Sequence, residues 1–203
     1  MSDVHDHIYL ASQSPRRREL LAQIGVRHEL LLPDPHEDTE ALEAERDGEL
    51  PLAYVERVTR AKLAAARERL TRRGLDFAPI LCADTTVTIG RCILGKPQDA
   101  DEAVRTLMQL SARTHRVITA VAVHDGQRSR VAVQTSRVRF ASLKRAQIDA
   151  YVASGEPFGK AGAYAIQSRA ACWIEHVAGS YSSIMGLPLY ETAQLLRQAR
   201  VRF

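Results

Sequence analysis

The sequence predicts an α/β protein in which short strands alternate with helices. Three stretches carry this prediction: an apolar run at residues 8–11 that leads into helical spacing up to Gly25, a helical repeat at 52–73, and a buried-strand pattern at 78–83. With 203 residues, of which 45% are hydrophobic, the chain is long enough to bury a core, and no internal repeat or low-complexity linker divides it. We therefore expect one domain that spans residues 1–203.

The same patterns place the other elements along the chain. A short strand at 29–32 precedes an acidic stretch at 34–49, which leads into the 52–73 helix. The remaining expected elements, in order, are a hairpin at 87–94 that turns at Gly90 and Arg91, a helix at 100–110, strands at 115–123 and 130–140, a helix at 144–152, a glycine-rich loop at 155–164, a strand at 172–177 and a helix at 189–200.

The first helix carries an unusual charge pattern. Ser14 is placed to cap this helix, Pro15 suits its first position, and Arg16, Arg17 and Arg18 follow in the first turn. The positive end of the helix dipole disfavours exposed cations there by about 0.3–1 kcal/mol each. Guanidinium groups beside free backbone N–H groups are typical of anion sites. The sequence therefore predicts a phosphate or another anion at this helix N-terminus.

Carboxylates at two places are candidates for chemistry. Asp84 directly follows the buried-strand pattern, a position typical of catalytic acids, and a turn-forming or capping role is the alternative. The 34–49 stretch holds eight acidic residues, most of which fit a solvated loop. One or two acids near its start are candidates to hold a divalent cation.

The basic residues are strongly biased towards arginine. Only four of the 28 Lys and Arg residues are lysines: Lys62, Lys96, Lys144 and Lys160. Codon bias is one explanation. The other is that lysine marks positions that need a compact point charge in place of a planar guanidinium.

The composition argues against a membrane or secreted protein. No window reaches the roughly 18 consecutive apolar residues that a membrane span needs. Residues 1–7 are polar and lack the pattern of a signal peptide. Cys82, Cys92 and Cys172 lie in apolar surroundings without CxxC spacing, so we expect reduced core residues. These observations predict a cytoplasmic protein without membrane association.

Other function classes also lose support. The seven histidines lack the spacing of a zinc site, and no serine lies in a G-x-S-x-G context, so neither a zinc enzyme nor a serine hydrolase of that kind is expected. The net charge of +4 permits nucleic-acid binding, but only 5% of the residues are aromatic and no long basic run exists. Anionic small molecules fit this charge equally well.

Segments spread over almost the whole chain follow one pattern in order. They are residues 10–17 (LASQSPRR), 34–37, 57–62, 83–85 (ADT), 95–97 (GKP), 114–115, 155–167, 179–181 and 186–188. This set resembles the Maf family of nucleoside triphosphate pyrophosphatases. The AYAIQ segment at 163–167 is similar to the corresponding segment in the branch of this family that acts on dTTP and UTP. Modified pyrimidine nucleotides, a preference for 7-methyl-GTP and a regulatory role as an inhibitor of septum formation remain alternatives.

The resemblance implies a fold and a set of site residues. The fold is an elongated, twisted mixed sheet flanked by helices, with two lobes and a central cleft, similar to inosine triphosphate pyrophosphatases. Asp84 corresponds to the catalytic carboxylate, a general base that activates water. The implied substrate-binding and specificity residues are Arg16, Thr85, Gln167, Ser12, Ser14, Arg17, Lys62, Lys96 and Lys160.

The resemblance also implies a cofactor and partners. Glu37 and Asp84 are expected to hold Mg²⁺ or Mn²⁺, with Asp34 and Asp38 as alternatives to Glu37. Gly159 stands where the family pattern has an acidic residue, which implies weaker metal binding, or a substitute in Glu156 or in an acid of the 34–49 stretch. The expected partner is a nucleoside triphosphate substrate, nucleic acid is not expected, and a homodimer follows from the resemblance alone.

Overall fold

A computed structural model describes residues 4–203 of the chain. Residues 1–3, which belong to the polar segment expected to carry no signal peptide, lie outside the described residues. Within 4–203, seven strands form one mixed sheet. They are β1 (Ile8–Leu10), β2 (His28–Leu30), β3 (Ile80–Ile89), β4 (Cys92–Leu94), β5 (Thr114–His124), β6 (Ser129–Phe140) and β7 (Ile174–Ala178).

Helices flank this sheet on both faces. They are α1 (Pro15–Gln23), α2 (Pro51–Arg72), α3 (Ala100–Leu110), α4 (Arg145–Ala153), α5 (Tyr181–Met185) and α6 (Leu189–Gln198). The expected α/β class with a mixed sheet and flanking helices is therefore confirmed. In the part of the chain that the structure describes, no helix is both long and apolar enough to cross a bilayer.

The sheet combines parallel and antiparallel pairing. The strand order is β2-β1-β3-β5-β6-β7. β4 pairs with the C-terminal part of β3, whereas β1 pairs with its N-terminal part. β1 runs parallel to β2 and β3, whereas β5 is antiparallel to β3 on one side and to β6 on the other. In the turn between β5 and β6, the Asp125 carboxylate accepts hydrogen bonds from the backbone N–H groups of Gln127 and Arg128 at 3.0 and 2.8 Å.

The two-residue periodicity of the strands decides which helices each strand contacts. Ile80 and Cys82 of β3 pack in the cluster that contains Leu63 of α2. Leu81 and Ala83 point to the opposite face and join the cluster formed with α1 and α6. Because alternate side chains lie on the same face of a strand, the next even position of β3 is directed towards α2.

Several elements match their expected bounds, and the differences have local causes. The 100–110 helix is confirmed residue for residue, and the long helix begins and ends one residue earlier than expected. Asp84 does not follow a strand but lies inside β3, since the β-branched residues beyond it extend the ladder with β5. The strand expected at 172–177 begins at Ile174 because residues 169–173 form 3₁₀ turns.

Two further expectations about side chains were wrong. Cys82 is buried as expected, but Cys92 and Cys172 are exposed. Cys92 lies on the short outer strand β4, and Cys172 lies in the 3₁₀ turns before β7. Ser14 is the N-cap residue of α1, but among the described residues its side chain makes no capping hydrogen bond.

Candidate active site

Asp84 lies at a gap in the sheet. β1 pairs with β3 only as far as Leu81, and β4 begins to pair with β3 only at Val87. Between these two points one edge of β3 has no strand beside it among the described residues. Asp84 lies in this interval, directed towards α2 and 9% exposed. The topology therefore places one carboxylate at a break in an otherwise apolar wall.

Lys62 of α2 joins this carboxylate to a second one. Its ammonium donates to Oδ1 of Asp84 at 2.6 Å and to Oε1 of Glu43 at 2.7 Å. Oε2 of Glu43 accepts from Lys96 at 2.9 Å. The result is a chain of alternating charges, Asp84, Lys62, Glu43 and Lys96, in which every link is a charge-assisted hydrogen bond.

The hydrogen-bond partners in this cluster shift the pKa values of Glu43 and Lys62. Burial by itself raises the pKa of Glu43, but Lys62 and Lys96 outweigh it and hold this pKa below its usual value. Burial works in the opposite direction on Lys62, and Asp84 and Glu43 overcome it and raise the pKa of Lys62. Near neutral pH Glu43 is therefore ionised and Lys62 is protonated.

Glu37 does not lie in this cluster, contrary to the sequence expectation. Its carboxylate accepts hydrogen bonds from Arg69 and Arg72 on α2 and from the backbone N–H of Asp34. It is not among the residues that line the cavity beside Asp84, whereas Glu43 is. Glu37 thus lies behind the cavity lining, bound to Arg69, which does line the cavity, and not to Lys62. Sequence analysis did not single out Glu43, which carries no local signal to distinguish it from its acidic neighbours.

The loop before α1 forms a second wall of the site. Arg17 donates from Nε to the carbonyl of Gly186 at 2.8 Å and from Nη1 to Oγ of Ser12 at 3.0 Å. Arg16 donates from Nε to the carbonyl of Met185 at 3.3 Å. Burial lowers the pKa of Arg17, an effect that Asp84 opposes. Tertiary contacts therefore hold these two guanidinium groups at the N-terminal end of α1, where the dipole disfavours cations.

The opposite face of β3 supports Thr85. Its hydroxyl lies 3.0 Å from the hydroxyl of Thr119, which donates to the carbonyl of Ser183 at 2.8 Å. Gly186 lies nearby, since a Cβ on this glycine would come within 3.7 Å of the Thr85 hydroxyl. Asp84 and Thr85, which are successive residues of β3, thus line the cavity from opposite faces of the strand.

The glycine-rich loop closes the remaining side. Lys160 donates to the carbonyl of Glu156, and burial together with Arg16 lowers the pKa of Lys160. Gly162 adopts a positive φ of 69°, and a Cβ at this position would lie 2.8 Å from Cγ1 of Val87. This close approach to β3 explains why glycine is required there. Gln167 is exposed.

These walls enclose a cavity of about 560 Å³. That volume lies within the range of small-molecule sites, about 300–1,000 Å³. All expected site residues except Glu37 line it: Ser12, Ser14, Arg16, Arg17, Lys62, Asp84, Thr85, Lys96, Lys160 and Gln167. The cavity thus brings together residues that lie up to 155 positions apart in the chain, from Ser12 to Gln167.

The donor set of the cavity fits a hard divalent cation. Glu43 and Asp84 supply carboxylate oxygens, the ligands that Mg²⁺ prefers. Among residues 4–203, no group of three or more His, Cys, Asp and Glu side chains is arranged to hold a metal by itself. Mg²⁺ is commonly bound through one or two carboxylates together with substrate phosphates. The Glu43 and Asp84 carboxylates, which Lys62 brings together in this basic cavity, therefore suit a cation that binds with a phosphorylated substrate.

Comparison with known proteins places this geometry in a family. A relative from Polaromonas sp. (strain JS666 / ATCC BAA-500), named dTTP/UTP pyrophosphatase, is 64% identical over 197 residues, or 97% of this chain and 98% of the relative. One of the same name from Cupriavidus pinatubonensis is 58% identical over 200 residues, or 98% and 100%. Among solved structures, the Staphylococcus aureus Ham1 protein gives a TM-score of 0.43 at 13% identity over 68% of this chain and 74% of that one. The family model described as Maf-like protein matches residues 7–199, and the chain therefore belongs to the Maf family.

Proposed function

We propose that this protein is a nucleoside triphosphate pyrophosphatase that hydrolyses dTTP and UTP to the monophosphate and pyrophosphate. One observation carries the proposal: the Asp84 carboxylate, held by Lys62 at 2.6 Å, lines a cavity that is also lined by Lys96, Arg16 and Arg17. The names of the relatives, which match almost the whole chain, support the same reaction. Removal of such nucleotides from the cellular pool is the role that fits it.

The charge of the cavity suits a triphosphate. Arg16, Arg17, Lys62, Lys96 and Lys160 line it. Guanidinium groups bind phosphate oxygens through paired N–H donors, and ammonium groups act as compact charges. Phosphoryl-transfer enzymes act mainly by positioning and by stabilising the charge on the phosphates. The lysine bias noted in the sequence fits this role, since three of its four lysines lie here.

Asp84 and Glu43 are the residues that we propose to hold Mg²⁺ or Mn²⁺. When bound, such a cation neutralises charge on phosphate oxygens and polarises the phosphorus centre. Glu43 takes the role that the resemblance implied for Glu37, since Glu43 lines the cavity and Glu37 is paired with arginines. Gly159 supplies no carboxylate where the family pattern has an acid, and Glu43 and Asp84 are the two lining carboxylates that Lys62 holds together.

Asp84 is also the proposed general base. Its carboxylate accepts a proton from a water molecule while the water oxygen forms a bond to the α-phosphorus. The bond between the α-phosphorus and the bridging oxygen breaks, and pyrophosphate leaves with the bonding electron pair. Lys62 orients the Asp84 carboxylate through its hydrogen bond to Oδ1. The proton then passes from Asp84 to solvent.

Nucleotide choice is proposed to depend on Arg16, Thr85 and Gln167. Gln167 lies on the loop at the edge of the cavity, and its amide both donates and accepts hydrogen bonds. Such a group matches the edge of uracil or thymine, which presents a carbonyl beside an N–H. Ser12 and Ser14 supply further polar groups in the loop before α1.

Initial rates of pyrophosphate release test the proposal. The purified protein with Mg²⁺ or Mn²⁺ is assayed with dTTP, UTP, CTP, 7-methyl-GTP and ITP. We expect metal-dependent turnover with dTTP and UTP as the preferred substrates. A preference for 7-methyl-GTP would overturn the substrate assignment, and absence of turnover on every triphosphate would favour a purely regulatory protein. The proposed compartment is the cytoplasm, where nucleotide pools lie. We also propose a homodimer, which light scattering on the same sample tests.

A further inference from the structure

The segment that carries Glu43 is fixed to α2 through its backbone. Three successive carbonyl groups, those of Leu42, Glu43 and Ala44, accept hydrogen bonds from two side chains in the first turns of α2. Arg57 donates to the Leu42 carbonyl at 3.5 Å and to the Ala44 carbonyl at 2.9 Å. The Tyr54 hydroxyl donates to the Glu43 carbonyl at 2.9 Å. The backbone on both sides of Glu43 is therefore held from behind.

The guanidinium that makes these contacts is itself fixed. Glu49 accepts from Nε and Nη2 of Arg57 at 2.6 Å each, in the paired geometry of a guanidinium and a carboxylate. Only 21% of the Arg57 side chain and 13% of the Glu49 side chain are exposed. Arg57 also lies over the Tyr54 ring, 5.5 Å from its centroid. Two carboxylate bonds, two carbonyl bonds and a ring contact thus leave the guanidinium a single orientation.

The same helix carries the residue to which Glu43 is directed. Lys62 follows Arg57 by five residues on the continuous helix α2, and its ammonium lies 2.7 Å from Oε1 of Glu43. The helix therefore determines the position of the Glu43 backbone through Arg57 and Tyr54, and that of its carboxylate through Lys62. Because both contacts come from one rigid element, Glu43 keeps a fixed distance from the Asp84 carboxylate that Lys62 also contacts.

We propose that Arg57 is a positioning residue for the hydrolytic site, acting through Glu43 with Tyr54 as its partner. This inference rests on the proposed function. Arg57 does not itself line the cavity, and it contacts the cavity wall only through the backbone carbonyl of Leu42. Its effect is to hold the carboxylate of Glu43 in the cavity, although half of the acidic residues in the same stretch are exposed.

Three variants separate positioning from general stability. Arg57→Lys keeps the charge but loses the planar set of donors that reaches Glu49 and two carbonyls at once. Tyr54→Phe removes only the hydroxyl that contacts the Glu43 carbonyl. Arg60→Lys is the matched control, since Arg60 lies on the same helix, is exposed and pairs with Glu56 one turn away. Circular dichroism melting confirms that each variant is folded.

The decisive measurement is a double-mutant cycle with Glu43→Gln. The rate of dTTP hydrolysis is measured in single turnover, with enzyme in excess and Mg²⁺ present, so that slow variants remain measurable. We expect Arg57→Lys to lower the rate about tenfold or more and Tyr54→Phe several-fold, because small displacements of a positioned group have large effects. In the Glu43→Gln background these losses should disappear, since residues that act through one group are not additive.

A crystal structure of ligand-free Arg57→Lys provides a readout independent of turnover. We expect the Glu43 carboxylate to leave Lys62 and Lys96. The proposal is overturned if Glu43 keeps both contacts in this variant, if the rate loss multiplies with that of Glu43→Gln, or if Arg57→Lys behaves like the Arg60→Lys control. An inactive wild-type protein would instead overturn the proposed function, and the two failures are therefore distinguishable.

Discussion

The ammonium of Lys62 lies 2.6 Å from Oδ1 of Asp84 and connects helix α2 to the central strand β3. The two residues are 22 positions apart in sequence, and both are largely buried. An ion pair withdrawn from water requires satisfied partners, and here the ammonium is shared with Glu43 at 2.7 Å. This ion pair lies at the centre of the site, because it joins the proposed general base, Asp84, to the second proposed metal ligand, Glu43.

Replacement of Asp84 by asparagine should abolish most of the activity and preserve the fold. The amide has the shape of the carboxylate but cannot accept a proton from water. We expect pyrophosphate release from dTTP to fall by about 10²–10⁴-fold, the usual contribution of a general base. Asp101→Asn, at an exposed position in the first turn of α3, is the control and should retain the wild-type rate. A wild-type rate in Asp84→Asn would show that another group activates the water.

The three arginines at the start of α1 should differ in their effect on substrate choice. Arg16 lines the cavity and is held by the Met185 carbonyl, whereas Arg18 is exposed and lies outside the lining. We expect Arg16→Ala to change the ratio of kcat/KM for dTTP over CTP by about tenfold, the scale of one lost pocket contact. Arg18→Ala should leave this ratio unchanged. Equal ratios in both variants would remove Arg16 from the specificity residues.

Glu37 should contribute to stability in a pH-dependent way. Hydrogen bonds from Arg69 hold the pKa of this carboxyl at about 2, below its ordinary value of 4.5. Because the folded-state pKa is depressed, the contribution is complete above about pH 4.5 and is lost as the pH falls towards 2. Urea unfolding from pH 7 to pH 3.5 should therefore show a difference between wild type and Glu37→Gln that shrinks with acidity. Glu19→Gln, at an exposed position of α1, is the control. A difference that stays constant with pH would contradict the assignment.

His115 should remain neutral throughout the physiological pH range. Its ring is buried, lies 2.7 Å from the Tyr164 hydroxyl through Nε2 and contacts Phe140 edge-on at 5.1 Å. Burial lowers its pKa to about 4. Since the unfolded chain binds this proton near pH 6.5, stability from this residue is present above that pH and is lost as the pH falls towards 4. NMR of ring-labelled histidine should find no titration of His115 between pH 8 and pH 6, and a midpoint near 6.5 would contradict the burial argument.

Two glycines of one loop should respond differently to alanine. A Cβ at Gly162 would lie 2.8 Å from Cγ1 of Val87, whereas one at Gly159 would meet no described atom within 4 Å. Both residues have positive φ, so that both substitutions carry backbone strain. We expect Gly162→Ala to destabilise the fold by about 1–3 kcal/mol more than Gly159→Ala, because the core must also shift. Thermal unfolding of both variants measures this difference, and equal losses would show that Val87 moves aside without cost.

The sequence predicted the elements best where the pattern is local and strong. Residues 100–110 begin after the side-chain cap Asp99, and the observed helix has these bounds. The residue pattern alone indicated Asp84, the arginines at the start of α1 and the lysines as candidates, and the remaining candidate site residues came from the family resemblance that motifs such as ADT and GKP carry. Ser14 occupies the predicted N-cap position of α1, but its hydroxyl makes no capping hydrogen bond among residues 4–203, and Ser12 accepts from Arg17.

The sequence by itself determined the α/β class, the long helix α2, the apolar run that leads to Asp84 and the cationic residues of the cavity. Only the tertiary structure decided which acid of the 34–49 stretch reaches them. Its acidic residues look alike locally, and long-range pairing separates them: Arg69 binds Glu37 across 32 positions, whereas Lys62 binds Glu43 across 19. Periodicity and capping act over a few residues and are visible in the sequence. The choice between two carboxylates depends on the fixed distances along one side of α2, which exist only after the loop has packed against that helix.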